Sequence, residues 1–203
     1  MNNKNLKIAI TGGIGTGKSV VAELYKNHGY QVISADDVAK EILANDKSVR
    51  EKIIKEFGEK SFVNGKPDFK YLSDKVFAIP ENVQTINAII HPPTISKINR
   101  LMNEALENNN LVFVEAALIF EAKMENLFDY IILITSDKEK QIERVKSRSK
   151  LSEPEILKRM ENQLPENIKK AKSDFIIENN SSLEELKNRA MFVLNLLQSI
   201  ATD

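Results

Sequence analysis

The sequence predicts an α/β protein with a parallel sheet covered by helices on both faces. Short runs of apolar, often β-branched residues alternate with segments in which apolar residues recur at helical spacing. Strands that are apolar throughout are typical of a sheet buried on both faces. The first such run also ends in a glycine-rich turn that opens a helix. We therefore expect the ligand site where the carboxyl ends of the strands meet.

Five short, mainly apolar runs are predicted as strands of this sheet. They are Leu6–Ile10, Gln31–Ser34, Leu111–Glu115, Tyr130–Thr135 and Asp174–Glu178. Helical periodicity predicts helices between and after them. These are Ser19–Asn27, Asp36–Ala44, Val83–Ile90, Ile95–Glu107, Lys138–Arg148, Glu153–Gln163 and Ser182–Ser199.

Composition limits the function classes. The 203 residues suit one domain, and the absence of Cys excludes disulfides, thiolate metal sites and Cys nucleophiles. Basic and acidic residues both number 29, so a formal net charge of zero gives no overall attraction to nucleic acid or anionic membranes. No apolar run approaches the roughly 18 residues of a membrane helix, and no secretory signal is visible. We expect a cytoplasmic protein without nucleic-acid or membrane partners.

A phosphate-binding loop is the strongest chemical signal. Residues 12–19 read GGIGTGKS and match G-x-x-x-x-G-K-[ST] in full, after a predicted strand and before a predicted helix. Glycines let successive backbone N–H groups face phosphate oxygens, and the helix N-terminus adds partial positive charge. That dipole contributes only about 0.3–1 kcal/mol at an exposed site, so Lys18 is expected to reach the β- and γ-phosphates and Ser19 to ligate Mg²⁺.

Carboxylates follow two of the predicted strands. Asp36 and Asp37 come after the second strand, where one can accept a proton from an acceptor hydroxyl and either can cap the next helix. Glu115 ends the third strand and can hold Mg²⁺ or be a solvated strand end. Glu121 can face the acceptor or be an exposed loop residue. Residue types alone leave these alternatives open.

A basic run lies in and just after the predicted helix Lys138–Arg148. It consists of Lys140, Arg144, Lys146, Arg148 and Lys150. A positioned Arg stabilises the charge that spreads over a transferred phosphoryl group, and we expect this role for Arg148. The three Lys residues are expected to lie on a solvated helix face. A lone histidine is more often structural than catalytic, so His91 carries no role from residue type alone.

Further motifs follow the phosphate loop in a fixed order. They are V-I-S-A-D at residues 32–36, Phe57-Gly58, Gly65, Val76-Phe77, His91-Pro92, E-A-A-L-I-F-E at 115–121, Gln141 with Arg144 and Arg148, Arg159 with Gln163, and Asp174 with Ile177 and Asn179. This ordered set resembles the dephospho-CoA kinase family from about Leu6 to about Leu186. The phosphate loop alone is shared by many families, whereas the ordered set is far more specific.

The resemblance implies a nucleoside-monophosphate-kinase-like P-loop fold with a five-stranded parallel sheet. It implies a single kinase domain: a nucleotide-binding core (about 1–56, 108–145 and 167–203), an acceptor-binding helical insert (about 57–107) and a lid (about 146–166). It also implies transfer of the ATP γ-phosphoryl group to the ribose 3′-hydroxyl of dephospho-CoA. ATP and Mg²⁺ are then the expected cofactors, and the protein is expected to be a monomer or weak homo-oligomer.

The resemblance also assigns residue roles. Asp36 is the expected base, acting with Lys18 and Arg148, and Ser19 and Glu115 are the expected Mg²⁺ ligands. Asp36, His91 and Glu121 belong to the acceptor side. The expected ATP-binding residues are Gly13, Ile14, Gly15, Thr16, Gly17, Lys18, Ser19, Val20, Arg144 and, near the adenine, Asn179.

Four residues depart from the family pattern. Ser34 replaces the first Asp of D-A-D, and Ala117 replaces the Pro of P-L-L. Phe69 stands where the family has Arg, with Lys70 beside it, and Ser181 replaces a Gly after the Asn pair. Asp36 is retained, so the expected mechanism is unchanged.

Two other functions are compatible with a phosphate loop. The first is a kinase of another nucleoside or nucleotide. A monophosphate acceptor should require more Arg than the segment Phe57–Thr94 offers, which is none. The second is a nucleotide-controlled switch, which needs a water-orienting residue that the sequence does not identify.

Overall fold

The computed structural model describes residues 4–76, 78–149 and 151–202. Phe77 of the family pattern and Lys150 of the basic run lie outside the described residues. Within these ranges no helix is both long and apolar enough to cross a membrane.

Five strands form one parallel sheet, as predicted. In spatial order they are β2, β5, β1, β6 and β7, and a separate antiparallel pair is β3 with β4. The bounds are β1 Leu6–Gly12, β2 Gln31–Ser34, β3 Phe62–Val63, β4 Lys66–Pro67, β5 Leu111–Glu115, β6 Tyr130–Thr135 and β7 Phe175–Glu178. Because β1 is central and the chain proceeds to both sides of it, the loop after β1 lies at a topological switch point.

Nine helices are described. They are α1 Lys18–Asn27, α2 Ala35–Asn45, α3 Lys47–Phe57, α4 Phe69–Val76, α5 Pro80–Leu106, α6 Lys138–Arg148, α7 Glu153–Glu161, α8 Glu166–Ala171 and α9 Leu183–Thr202. Three of them, α3, α4 and α8, are absent from the sequence prediction. In α3 the buried residues Val49, Ile53 and Phe57 recur every fourth position, and Asp46 caps the helix by accepting from the N–H of Val49 at 3.0 Å.

The chain folds into two compact units. One comprises the described residues up to Ser34 together with those from Leu101 onward, and the other comprises Ala35–Arg100. In the first unit, α1 and α9 pack on the sheet around a core that includes the fully buried Tyr25 and Phe113, whose ring centroids lie 4.7 Å apart. This core fixes β1 and α1, the two elements that carry the phosphate loop.

The second unit has its own apolar core, formed by α2, α3, α4, part of α5 and the β3–β4 pair. Asn64 and Gly65 join the two short strands, with φ values of 50° and 79°. Two consecutive positive φ values are typical of a type I′ hairpin, which explains the Asn-Gly sequence. The predicted acceptor-binding insert lies largely within this unit, and its role stays a prediction.

One sequence prediction is wrong at helix α5. Two helices were expected, with a break at Pro92 and Pro93, but the structure has one helix that contains both prolines. A proline inside a helix removes a backbone hydrogen bond and costs about 3 kcal/mol. Packing opposes that cost, because Ile89 and Ile90 pack on the core before the prolines and Ile98 is fully buried after them.

We expect Tyr25→Phe to lower the free energy of unfolding by about 1 kcal/mol, because a buried hydrogen bond is lost. The Tyr25 hydroxyl is buried and donates to the carbonyl of Ala190 in α9 at 2.8 Å. Burial raises the pKa of this hydroxyl, so it remains a donor at neutral pH. Urea denaturation measures the change, and an unfolding free energy equal to that of the unsubstituted protein would contradict it.

Candidate functional site

The phosphate loop connects β1 to α1 and requires glycine at two close approaches. Gly15 has φ 78°, and a Cβ there would lie 2.5 Å from the carbonyl oxygen of Gln141. Gly17, which directly precedes α1, has φ 104°, and a Cβ there would lie 2.5 Å from Nδ2 of Asn179. Any larger residue would therefore force the loop away from its supports as well as strain the backbone.

The loop's carbonyl groups are held by side chains. Nδ2 of Asn179 donates to the carbonyl of Thr16 at 2.7 Å, and a guanidinium N–H of Arg144 donates to the carbonyl of Gly15 at 3.5 Å. The carbonyl of Gly13 accepts from Oγ1 of Thr16 at 2.9 Å and from Nζ of Lys18 at 3.0 Å. In a trans peptide the C=O and the next N–H point in opposite directions, so these bonds fix where the loop N–H groups point.

Arg144 and Asn179 form the support beneath the loop. Arg144 donates to Oγ of Ser136 at 3.0 Å and to the backbone carbonyl of Asn179 at 2.8 Å. The Asn179 side chain is buried, and its backbone N–H donates to the carbonyl of Thr135 at the end of β6. Both residues were expected to bind ATP. The contacts show them holding the loop, and any contact with the adenine stays a prediction.

The expected metal ligands are oxygen donors at the same edge of the sheet. Ser19 is exposed in the first turn of α1, and Glu115 is the partly buried last residue of β5, in register with Ile10 of β1. Among the described residues no group of three or more His, Cys, Asp or Glu could enclose a metal ion. Mg²⁺ commonly takes one or two protein oxygens together with phosphates and water, so these two residues fit that ion.

Glu121 contacts the segment that follows α7. Its Oε1 accepts from the N–H of Leu164 at 2.7 Å and lies 2.9 Å from Nζ of Lys169, a lysine of α8 with a side chain only 3% exposed. Gln163, the preceding residue, accepts from the N–H of Ile14 through Oε1 at 3.2 Å. Lys169 was missed by sequence analysis. Gln163 was noted there only as part of the Arg159–Gln163 motif, without a role.

A cavity of about 670 Å³ lies beside the phosphate loop in the first unit. Its walls come from the carboxyl ends of β6 and β7, from α7 and from α8. Gly13, Gln141, Gln163 and Lys169 are among its lining residues. The cavity therefore extends to Gly13 of the phosphate loop.

The basic residues of α6 differ in their contacts. Arg148 is exposed as the last residue of the helix. Lys146 pairs with Glu153 of α7 at 2.6 Å, and Lys140 donates to the carbonyl of Asn180. Both lysines have local partners, and Lys146 is exposed, whereas Lys140 is partly buried. The catalytic role of Arg148 stays a prediction.

Asp36 and His91 belong to the second unit. Helix α2 begins at Ala35, so Asp36 and Asp37 lie in its first turn rather than at the cap position that was one alternative. Both carboxylates are exposed, and Asp37 pairs with Lys40 at 3.1 Å. His91 lies within α5 and is partly buried, and this burial lowers the pKa of its imidazole.

The central position of β1, the parallel sheet and the supported phosphate loop define a P-loop nucleotide-binding protein. Shikimate kinase from Acinetobacter baumannii has the same fold at 15% identity, with a TM-score of 0.57 over 97% of this chain and 95% of that one. The dephospho-CoA kinase family model matches residues 6–185. The chain belongs to the dephospho-CoA kinase family.

Two solved structures and a curated relative are similar to the chain. TT1252 from Thermus thermophilus is 35% identical, with a TM-score of 0.79 over 96% of this chain and 98% of that one. Dephospho-CoA kinase from Campylobacter jejuni is 31% identical, with a TM-score of 0.73 over 95% of this chain and 97% of that one. Dephospho-CoA kinase of Fusobacterium nucleatum is 36% identical over 88% of this chain and 92% of its own length.

We expect His91 to make stability fall as the pH falls through 6.5, the ordinary pKa of histidine. Because the folded-state pKa is lower, the unfolded chain binds more protons below pH 6.5, and protonation favours unfolding. Above pH 6.5 both states are neutral at this residue and the effect vanishes. His91→Gln should therefore flatten the decline in Tm between pH 7.5 and pH 5. Parallel Tm curves for the two proteins would contradict this assignment.

Proposed function

We propose that this chain transfers the γ-phosphoryl group of ATP to the 3′-hydroxyl of the ribose of dephospho-CoA, giving CoA and ADP. The observation that carries the proposal is the family match over residues 6–185, which includes the whole phosphate loop. Shikimate kinase from Acinetobacter baumannii, at 15% identity, supports the fold and says nothing about the acceptor. We further propose that the reaction takes place in the cytoplasm, where ATP is available.

The phosphate loop is proposed to bind the triphosphate through its backbone N–H groups and Lys18. Residues 13–20 surround the N-terminus of α1, where amide donors and the helix dipole both favour an anion. Lys18 is a cation with its side chain largely buried in the loop, so its charge is less screened by water than a surface lysine's. Arg144 and Asn179 act here by keeping the loop in its binding shape.

Ser19 and Glu115 would hold Mg²⁺ through the hydroxyl and the carboxylate, respectively. When bound there, the ion neutralises charge on the β- and γ-phosphates. Lys18 supplies further positive charge to the oxygens of the β- and γ-phosphates.

Asp36 is proposed to accept the proton of the 3′-hydroxyl. The hydroxyl oxygen then forms a bond to the γ-phosphorus, and the bond from that phosphorus to the β,γ-bridging oxygen breaks, releasing ADP. Arg148 is proposed to stabilise the charge on the transferred group. The exposed carboxylate of Asp36 is accessible to a substrate, as a base that also orients the hydroxyl must be.

His91 is proposed to contact the acceptor as a neutral imidazole. Its lowered pKa keeps the ring uncharged at neutral pH, so one ring nitrogen can donate and the other accept a hydrogen bond. The assignment of Glu121 to the acceptor side stays a prediction. In the structure its Oε1 accepts from the N–H of Leu164.

We expect Asp36→Asn to lower kcat by about a hundredfold or more, because the amide cannot accept the proton. Asp37→Asn is the matched control. It removes a neighbouring exposed carboxylate that is paired with Lys40, and it should leave kcat within about threefold of the unsubstituted value. The measurement is ADP release with ATP, Mg²⁺ and dephospho-CoA. Equal kcat values for the two variants would contradict the role of Asp36.

An acceptor panel tests the substrate separately. Dephospho-CoA should be turned over at least about a hundredfold more efficiently than nucleosides, nucleoside monophosphates or shikimate. Preference for any of those acceptors would contradict the proposed function.

A further inference from the structure

The two residues that follow the C-cap of α7 are attached to two different loops. Helix α7 ends at Glu161, with Asn162 as its C-cap. Oε1 of Gln163 then accepts from the N–H of Ile14 in the phosphate loop at 3.2 Å. The N–H of Leu164 donates to Oε1 of Glu121, in the loop after β5, at 2.7 Å. We call Gln163 and Leu164 the α7 terminus.

The attachment of Leu164 is reinforced by charge. Glu121 and Lys169 form an ion pair at 2.9 Å, with side chains 16% and 3% exposed. Nζ of Lys169 has no aligned hydrogen bond among the described residues, so the attraction is one of charge. Breaking such a pair leaves a buried charge uncompensated, which is strongly unfavourable. The pair therefore holds Glu121, and through it the backbone of Leu164, in one position.

Because Leu164 is held, Gln163 reaches a fixed point of the phosphate loop. A Cβ on Gly13 would lie 3.5 Å from Oε1 of Gln163 and 3.1 Å from Oε1 of Gln141. Nε2 of Gln141 donates to the carbonyl of Ser136 at 2.6 Å, which leaves its oxygen facing the loop. Two glutamine oxygens thus bracket the Gly13–Ile14 peptide, and only Gln163 comes from the α7 side.

We propose that Gln163 is a positioning residue for phosphoryl transfer. It orients the Gly13–Ile14 peptide and joins the α7 terminus to the phosphate loop, with the Glu121–Lys169 pair as its support. This inference rests on the proposed function. A misplacement of about 1 Å remote from the reacting atoms can reduce turnover by about a hundredfold, so a single bond at the start of the loop can matter for rate.

Gln163→Met tests the proposal, since methionine has similar length and lacks the amide. We expect kcat to fall about tenfold while the Kd for ATP changes less than about threefold, because the substitution removes none of the loop's N–H groups and leaves Lys18 in place. Gln31→Met is the matched control, at an exposed position at the amino end of β2, and it should leave both values unchanged. Tryptic cleavage after Lys158 and Arg159 of α7 should be faster in Gln163→Met than in the control.

Gln163→Glu tests whether the hydrogen bond to Ile14, and not the mere presence of a substitution, determines how fast α7 is cleaved. It keeps an oxygen that can accept from the N–H of Ile14, so tryptic cleavage of α7 should stay at the rate of the unsubstituted protein. The proposal is overturned if Gln163→Met has a kcat within twofold of Gln31→Met, or if it loses ATP affinity as much as it loses kcat. It is also overturned if the three variants are cleaved at equal rates.

Failure of the proposed function would look different. In that case the unsubstituted protein would not phosphorylate dephospho-CoA at all, whereas the cleavage rates do not depend on the acceptor. Faster cleavage of Gln163→Met alone would still support the attachment of the α7 terminus, and equal rates would still overturn it.

Discussion

The hydrogen bond from the side chain of Asn179 to the carbonyl of Thr16 is the interaction on which the site depends. A phosphate loop works only if its N–H groups converge on one point, and its carbonyls must then be satisfied elsewhere. The chain meets this requirement with side chains from outside the loop, since Asn179 donates to the carbonyl of Thr16 and Arg144 donates to the carbonyl of Gly15. A third outside side chain, Gln163, accepts from the N–H of Ile14. The conformation of the phosphate loop is thus fixed by residues that are distant in the sequence.

This arrangement explains why the sequence motifs occur together. Thr16 and Asn179 are 163 positions apart, yet β1, β6 and β7 are neighbours in the sheet, so the residue after β7 comes close to the loop after β1. Arg144 comes from α6, which follows β6, and its guanidinium links the Gly15 carbonyl to the Asn179 backbone. Parallel pairing brings the three chain segments to one edge, and the hydrogen bonds then fix the loop's geometry.

Elements that a single local pattern decides could be predicted from the sequence. The buried strands were found because they are continuously apolar, and the phosphate loop because its residues are contiguous. The continuous helix α5 was not predicted, since packing of Ile98 and its neighbours outweighs the local effect of two prolines. The support roles of Asn179 and Lys169 were also missed, because they depend on contacts between residues far apart in sequence. The roles of Asp36, His91 and Arg148 rest on the family pattern and stay predictions.

The most direct test of this account is the affinity for ATP of Gly17→Ala, measured by calorimetry against Gly29→Ala. Both glycines have positive φ, 104° and 88°, so alanine strains the backbone at either position. At Gly17 the new methyl group would also meet Asn179 at 2.5 Å, whereas at Gly29 it meets nothing within 4 Å among the described residues. We predict that Gly17→Ala weakens ATP binding by about a hundredfold or more, a loss of about 2.7 kcal/mol, while Gly29→Ala keeps its affinity. Equal affinities for the two variants would contradict the claim that Asn179 fixes the conformation of the phosphate loop.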